Sequence, residues 1–338
     1  MSVTLKQIAA VTGMSKATVS RALRNDRVIH PDTRSRVLVA AARAGYERPT
    51  RKSPRPAKKQ LRLLLLLPPH SRAGYTVVHD YLRGMMRGVA EVDGFLSVEE
   101  VSEEGVGKLA EPNWLPREIV SGGVDGVVLG GWHNHQDVAA LARMLPVVSI
   151  QWEHTAPHID LVSGANYHGT VTLVRHLVQC GHRHLGWVGA SYQASFFTER
   201  KMGFLQGCME NGIEVDQRSI MDNYQAAGVK ETLGMLVQQG VTALVCANDF
   251  VARTIAEWTL AAGLKVPEDL SVTGYDAVPE PIQNGKTLTS YDPIFLEVGR
   301  TAIHAVLRRI KDPGMPRITY LCEGRMKCGE TVAKLCEC

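Results

Sequence analysis

VTLKQIAAVTGMSKATVSRALR, Val3 to Arg24, reads as two short helices joined by a tight turn. Thr4 followed three residues later by Gln7 is a capping-box start, and Leu5, Ile8 and Ala9 recur on one helical face. Gly13 interrupts the pattern where a turn is needed, because glycine reaches positive φ without steric cost. Ser15 then caps a second helix that buries Val19, Ala22 and Leu23. Its other side shows Lys16, Ala17, Thr18, Ser20 and Arg21, a row of hydrogen-bond donors with one small apolar residue. Such a helix fits a DNA major groove with its N-terminal residues at base edges. A capped helix pair is equally common in all-α domains that touch no nucleic acid, so charge has to discriminate.

Met1–Gln60 holds 14 Lys and Arg against 3 Asp and Glu, a net of +11. The whole chain is only +4, which leaves about −7 on Leu61–Cys338. A strongly basic head on an acidic body is the charge footprint of a polyanion reader. The remaining bounds are those of an ordinary globular protein. At 338 residues the chain can build two or three domains, and 45% of it is hydrophobic. Its most apolar run, Leu61–Leu67, is seven residues and too short to span a bilayer. Lys6 and Lys16 interrupt any signal-peptide core. Seven cysteines without a regular framework fit reduced thiols, so a cytoplasmic protein is expected, on the nucleoid when bound to DNA.

VTLKQIAAVTGMSKATVSRAL closely resembles the head motif of the lac repressor/galactose repressor (LacI/GalR) family of bacterial transcription factors, and the similarity continues through HPDTRSRVLVAAARAGYE. Pro31 and Asp32 open a third helix, Asp32–Ala44, ended by Gly45, with Val37, Leu38 and Ala41 closing a small core. The resemblance places Lys16 and Ala17 at the positions that choose bases and lets Arg21 reach a base or a phosphate. Lysine can donate to guanine O6 and N7, whereas alanine can only touch a thymine methyl. Thr4, Thr18, Ser20 and Arg34 are expected to be phosphate contacts or caps, and Ser15 lies beside them at the helix start.

Residues 49–60, PTRKSPRPAKKQ, form a linker with three prolines, several basic residues and no acid. Typical members of the family carry an Ala-Arg-x-Leu hinge segment that folds on DNA and wedges a leucine into the minor groove. Here no leucine occurs between Leu38 and Leu61, and Pro54 and Pro56 interrupt a helix. Two readings stand. Arg51, Lys52 and Arg55 follow the minor groove as an extended arm, or the segment is a spacer adding nonspecific attraction.

From Leu61 onward, short apolar runs alternate with amphipathic stretches. Leu61–Leu67, Gly126–Leu129, Pro146–Ile150, Leu185–Val188, Ala243–Cys246 and Leu270–Gly274 read as buried parallel strands. Asp80–Val92, Gly169–Gln179 and Phe250–Ala262 read as helices between them. GHRHLGWVG (181–189), TERKMGFLQG (198–207), ALVCANDFVA (243–252) and VPEDLSVTGYD (266–276) look like the family's effector-domain signatures. The resemblance therefore implies an α/β fold. It consists of an N-terminal all-α helix-turn-helix head and a two-lobed, periplasmic-binding-protein-like core of doubly wound parallel sheets. The expected domains are 1–48, a linker 49–60 and a core 61–338. Lobe 1 would take about 61–160 and 291–320, and lobe 2 about 161–290 and 321–338.

In the resemblance Arg200 stands where the family's effector-contacting arginine does, and its guanidinium can fork to neighbouring hydroxyls. Asp276 can accept from two sugar hydroxyls. Of Asn248 and Asp249, Asn248 is the expected pocket residue and Asp249 the helix cap. Phe197, Trp152 and Tyr224 fall in loops near strand ends, where a ring can stack on a sugar. Trp187 and Trp258 are expected in the core. No metal is expected: His133, His135, His154 and His158 lack a cysteine or carboxylate at zinc-motif spacing, and Cys322, Cys328, Cys336 and Cys338 match no zinc motif. Neither G-x-S-x-G nor a phosphate-binding G-x-x-x-x-G-K-[ST] loop occurs, and no cofactor is called for. The expectation is a homodimeric, non-enzymatic regulator of double-stranded operator DNA, controlled by a sugar-like effector between two lobes. The alternative is a constitutive DNA-binding protein whose core has no ligand.

Overall fold

The computed structural model describes residues 3–26, 28–46, 60–69, 75–111, 113–154, 159–226 and 228–335. Arg51, Lys52 and Arg55 of the linker, with His158, Cys336 and Cys338, lie outside these residues.

The head is three helices, α1 (Leu5–Thr12), α2 (Lys16–Leu23) and α3 (Pro31–Ala44). The Thr4 backbone N–H donates to Gln7 Oε1 at 2.7 Å, so the box residue closes the start of α1. Gly13 ends α1 at φ 68°, in the left-handed region. Ser15 Oγ accepts from the Thr18 N–H at 3.0 Å and starts α2. Ile8, Val19, Ala22, Val37, Ala41 and Tyr46 make the head's core.

The body then runs β1 (Arg62–Leu67), α4 (Tyr75–Ala90), β2 (Phe95–Glu100), α5 (Arg117–Val120), β3 (Gly126–Gly130), α6 (His135–Met144), β4 (Val147–Ile150) and β5 (Asp160–Gly164). It continues through α7 (Asn166–Gln179), β6 (Leu185–Val188), α8 (Ser195–Glu210), β7 (Ile220–Met221), α9 (Val229–Gln238) and β8 (Ala243–Cys246). The last elements are α10 (Asp249–Ala261), β9 (Ser271–Tyr275), β10 (Thr289–Asp292), α11 (Phe295–Lys311), β11 (Thr319–Cys322) and β12 (Arg325–Lys327).

Two compact units result. Met1–Ser163 with Leu296–Tyr320 forms the first, and Gly164–Phe295 with Leu321–Cys338 the second. One sheet has the order β11-β5-β4-β3-β1-β2 and the other β12-β10-β9-β8-β6-β7. The ladders β2-β1-β3-β4-β5 and β7-β6-β8-β9-β10 are parallel, while β12 joins β10 antiparallel. Strand order reverses between β1 and β3 in the first sheet and between β6 and β8 in the second, which is the doubly wound pattern.

Uninterrupted apolar runs are what such sheets require, because both faces are covered. Leu63, Leu64, Leu65 and Leu66 are all buried, each contributing about 1.5–3 kcal/mol relative to exposure. Trp187 is buried in β6 as expected, and Trp258 is half-buried on α10. In the first unit a buried ion pair ties the end of α11 to β5. Arg309 grips the Asp160 carboxylate and also donates to the Met315 carbonyl at 2.6 Å. Deleting either partner would strand a buried charge, at a cost of about 3–5 kcal/mol.

Candidate functional site

Two sites emerge, one on the head and one in the second unit. On α2, Lys16, Ala17 and Arg21 are exposed along the N-terminal half and middle of the helix. Ser15 and Thr18 are tied to each other, their hydroxyls 2.8 Å apart, so they fix the start of the helix that carries Lys16, Ala17 and Arg21. Ser20 is half-buried, and its carbonyl accepts from Arg24 Nε at 3.2 Å. Thr4 is exposed beside the start of α1. Arg34 corrects the sequence reading, for it is buried rather than directed at a phosphate. Its guanidinium donates to the carbonyls of Asp26, Ile29 and Val120.

In the second unit, the loops at the carboxyl ends of β6, β8 and β9 converge around the switch point, where an open α/β sheet binds ligands. Arg200, in the second turn of α8, is 2% exposed. Its Nε donates to Asn166 Oδ1 at 3.0 Å, one terminal nitrogen to the Ala247 carbonyl at 2.8 Å, and the other to Asp276 Oδ1 at 3.2 Å. The guanidinium plane lies over the Tyr275 ring, 3.6 Å from its centroid, with the rings of Phe196 and Phe197 at 5.4 and 5.6 Å. Five N–H groups leave two beyond these three bonds.

Asp276 sits at φ 108° and Ala277 at φ 54°, two consecutive residues in backbone regions that side chains disfavour. Such strain costs about 1–3 kcal/mol per residue and persists only where the surroundings impose it. Here the Asp276 N–H donates to the Tyr291 carbonyl, the Ala277 N–H to Ser290 Oγ, and the Val278 N–H to Asp249 Oδ2. Burial pushes the Asp276 carboxyl up to about 6, with Arg200 opposing the shift. The buried Tyr275 hydroxyl has no hydrogen-bond partner among the described residues and lies against Gly169 of α7.

The helix cap expected at Asp249 falls on Asn248 instead. Asn248 Oδ1 accepts from the Val251 N–H at 2.9 Å and caps α10. Asp249 is buried and accepts from Ser290 Oγ at 2.6 Å, so it braces the Asp276 loop from behind. Burial first, and the Asp276 charge second, push Asp249 up to about 7. Asn248 belongs to the loop that carries the Ala247 carbonyl to Arg200, and it remains half-buried.

The aromatics divide. Phe197 is buried between Phe196 and Tyr192, their ring centroids at 4.5 and 5.1 Å, and it walls the Arg200 side of the site. Tyr224 packs on α10 within the second unit. It is 7% exposed, its ring meets Trp258 and Phe250 of α10, and its hydroxyl accepts from Gln225 Nε2. Trp152 belongs to the first unit, half-buried beyond β4, and its carbonyl accepts from Ser149 Oγ at 2.7 Å. Sequence reasoning missed Asn166, Tyr192 and Tyr275. The adjacency of Tyr275 to Asp276 was the available signal, whereas Asn166 reaches Arg200 only through the packing of α7 on α8.

No group of His, Cys, Asp and Glu among the described residues could hold a metal. His133 and His154 are both buried and pushed down to about 4 by desolvation, and His133 Nε2 lies 3.2 Å from the carbonyls of Leu66 and Gly130. No helix among these residues is long and apolar enough to cross a membrane.

A helix-turn-helix reader joined to two doubly wound sheets, with a charged polar site at strand ends, defines a DNA-binding regulator with a small-molecule-binding body. Residues 4–49 match the bacterial regulatory proteins of the lacI family, and residues 174–332 match the periplasmic binding protein-like domain. The chain is 25% identical over 326 residues to the HTH-type transcriptional repressor PurR of Photobacterium profundum, covering 94% of this chain and 95% of that one. Its likeness to the PurR repressor of Haemophilus influenzae is 25% over 333 residues, covering 94% and 95%. In fold it is similar to the transcriptional regulator CelR in its cellobiose complex, with TM-score 0.66, 21% identity and coverage of 97% and 99%. It is likewise similar to the lac repressor dimer bound to operator and the anti-inducer ONPF, with TM-score 0.64, 22% identity and coverage of 98% and 100%. The chain belongs to the lacI family of bacterial regulatory proteins. It is a DNA-binding transcriptional regulator with an effector-binding core, and it acts by binding rather than by turnover.

Proposed function

We propose that this regulator is a homodimeric repressor in the cytoplasm that reads a roughly palindromic operator and answers to a neutral polyhydroxylated effector, a sugar or related polyol. The observation that carries the effector reading is the Arg200–Asp276 pair. The guanidinium keeps two N–H groups beyond its internal bonds, and among the described residues only Oδ1 of Asp276 is engaged. Donors and an acceptor side by side, flanked by aromatic rings, match vicinal hydroxyls on a carbon ring. Solved relatives in fold include complexes with cellobiose and with ribose, which supports the class without naming the compound.

On the head, Lys16 and Ala17 would choose bases and Arg21 would reach a base or phosphate. Two such heads related by a dimer axis read two half-sites. Repression relieved by the effector requires different effector affinities for the DNA-competent and incompetent states.

Arg200→Ala tests the reading. Operator binding should persist while every sugar-induced change in it disappears, measured by fluorescence anisotropy of a labelled operator against a sugar panel. Loss of operator binding together with a collapsed melting transition would assign Arg200 to folding instead.

A further inference from the structure

Within the first unit the head is packed against the sheet domain, and the contact uses none of the base-reading residues. α3 has two buried faces. Val37 and Ala41 close the head's own core, while Val39 is buried in the sheet domain's core with Leu115, Ile119, Val138 and Leu141.

Hydrogen bonds cross the junction in both directions. From the head, Arg34 donates to the Val120 carbonyl at the end of α5, 3.1 Å away, and Asn25 Nδ2 donates to the Val124 carbonyl at 3.3 Å. From the sheet domain, Arg143 on α6 donates to the Ala42 carbonyl in the last turn of α3, at 3.2 Å. The Val120 carbonyl, at the end of α5, lacks an intrahelical partner and gains one from Arg34, whereas the Ala42 carbonyl takes Arg143 in addition to the Gly45 N–H. The fit is close: a Cβ on Gly122, at φ 70°, would stand 2.4 Å from Asn25 Oδ1. Leu23, Leu38, Ala41, Ala42 and Tyr46 of the head line one small cavity with Arg143 and Met144.

Arg34 couples the two sides. At 1% exposure, the same guanidinium that reaches Val120 also holds the Asp26 and Ile29 carbonyls, which belong to the loop following α2. Withdrawing the head would leave the Val39 side chain and part of that buried cation without partners, a cost that holds the junction closed. Meanwhile Lys16, Ala17 and Arg21 stay exposed. The junction therefore leaves the reading face open and fixes where it points.

We propose that the head is carried by the first sheet domain as one rigid body, docked through α3, so that the sheet domain sets the direction of the recognition helix. A rigid-body rotation of that domain then carries the reading helix with it. This consequence for DNA rests on the DNA-reading assignment above, whereas the docking itself does not.

Amide 15N relaxation on the full, deuterated chain without DNA tests it. Amides of α1–α3 should report the same overall tumbling as those of β1 and β3. Head amides tumbling several-fold faster than the sheet amides would overturn the proposal. The double variant Val39→Glu, Arg143→Glu should release the head, with its resonances sharpening while their dispersion is kept. Arg143→Glu alone changes an exposed side chain outside the head, so it guards against head unfolding. It should raise hydrogen exchange of residues 117–124 several-fold, and unchanged exchange would contradict the docking. Loss of DNA reading with tumbling still shared would count against the DNA assignment alone.

Discussion

Arg200 is committed before any ligand arrives, with its donors on Asn166, the Ala247 carbonyl and Asp276. In the proposed effector site it would present a fixed fork and an oriented carboxylate, which reduces the ordering cost of binding. The carboxyls give this site a pH signature. Asp276 is raised to about 6, and only its anion accepts from two hydroxyls, so effector affinity should rise between pH 5 and 7 in a titration by calorimetry. Stability should run the other way. Asp249, raised to about 7, binds more protons folded than unfolded between its ordinary value of 3.8 and that point. Its contribution is thus present at low pH and lost as pH rises through about 7, each tenfold difference in proton affinity being worth about 1.4 kcal/mol. Melting curves of wild type and Asp249→Asn across pH 5–8 should show a smaller decline in the variant, and equal declines would remove Asp249 from the explanation. Arg200 and Asp276 are legible because they stand in motifs. The burial of Asp249 is not, since it depends on Ser290, a residue brought beside Asp249 only by sheet pairing.

At the scale of elements, the central strands can be read almost to the residue. β6 and β8 carry continuous apolar runs, and both faces of each are buried. The strands that escape reading are those at or near the sheet edges or with polar cores. β2 alternates exposed and half-buried residues at a sheet edge, so its sequence FLSVEE lacks an apolar run. β5 opens on Asp160, whose charge is hidden by Arg309 149 residues away. β10 reads TSYD, polar in sequence, yet Thr289, Ser290 and Tyr291 are buried by a hydrogen-bond network that no local pattern shows. Arg34 misleads for the same reason, because its acceptor at Val120 lies 86 residues away. The head helices are legible from caps and turns alone. On α2 the division of labour is testable: Lys16→Ala should cost about 1–3 kcal/mol of discrimination at one base position and leave the other positions unchanged. A uniform loss across all sequences, measured by competition binding, would make Lys16 a phosphate contact.

At the scale of the whole molecule, charge and fold point the same way. The basic net of +11 lies within Met1–Gln60, and the acidic remainder carries the effector-binding core. What sequence could not reveal is that α3 belongs to two cores, its own and that of the first sheet domain, because Val39 looks like any other apolar helix residue. The central claim is that a paired reader of a palindrome is controlled by a small polyol. Selection of full-length protein on a randomised DNA pool, with and without a sugar mixture, tests it most directly. The expected result is one palindrome with a single half-site spacing, whose enrichment changes when sugar is present. A pool that yields no enriched sequence, or a palindrome indifferent to every sugar in the mixture, would contradict it.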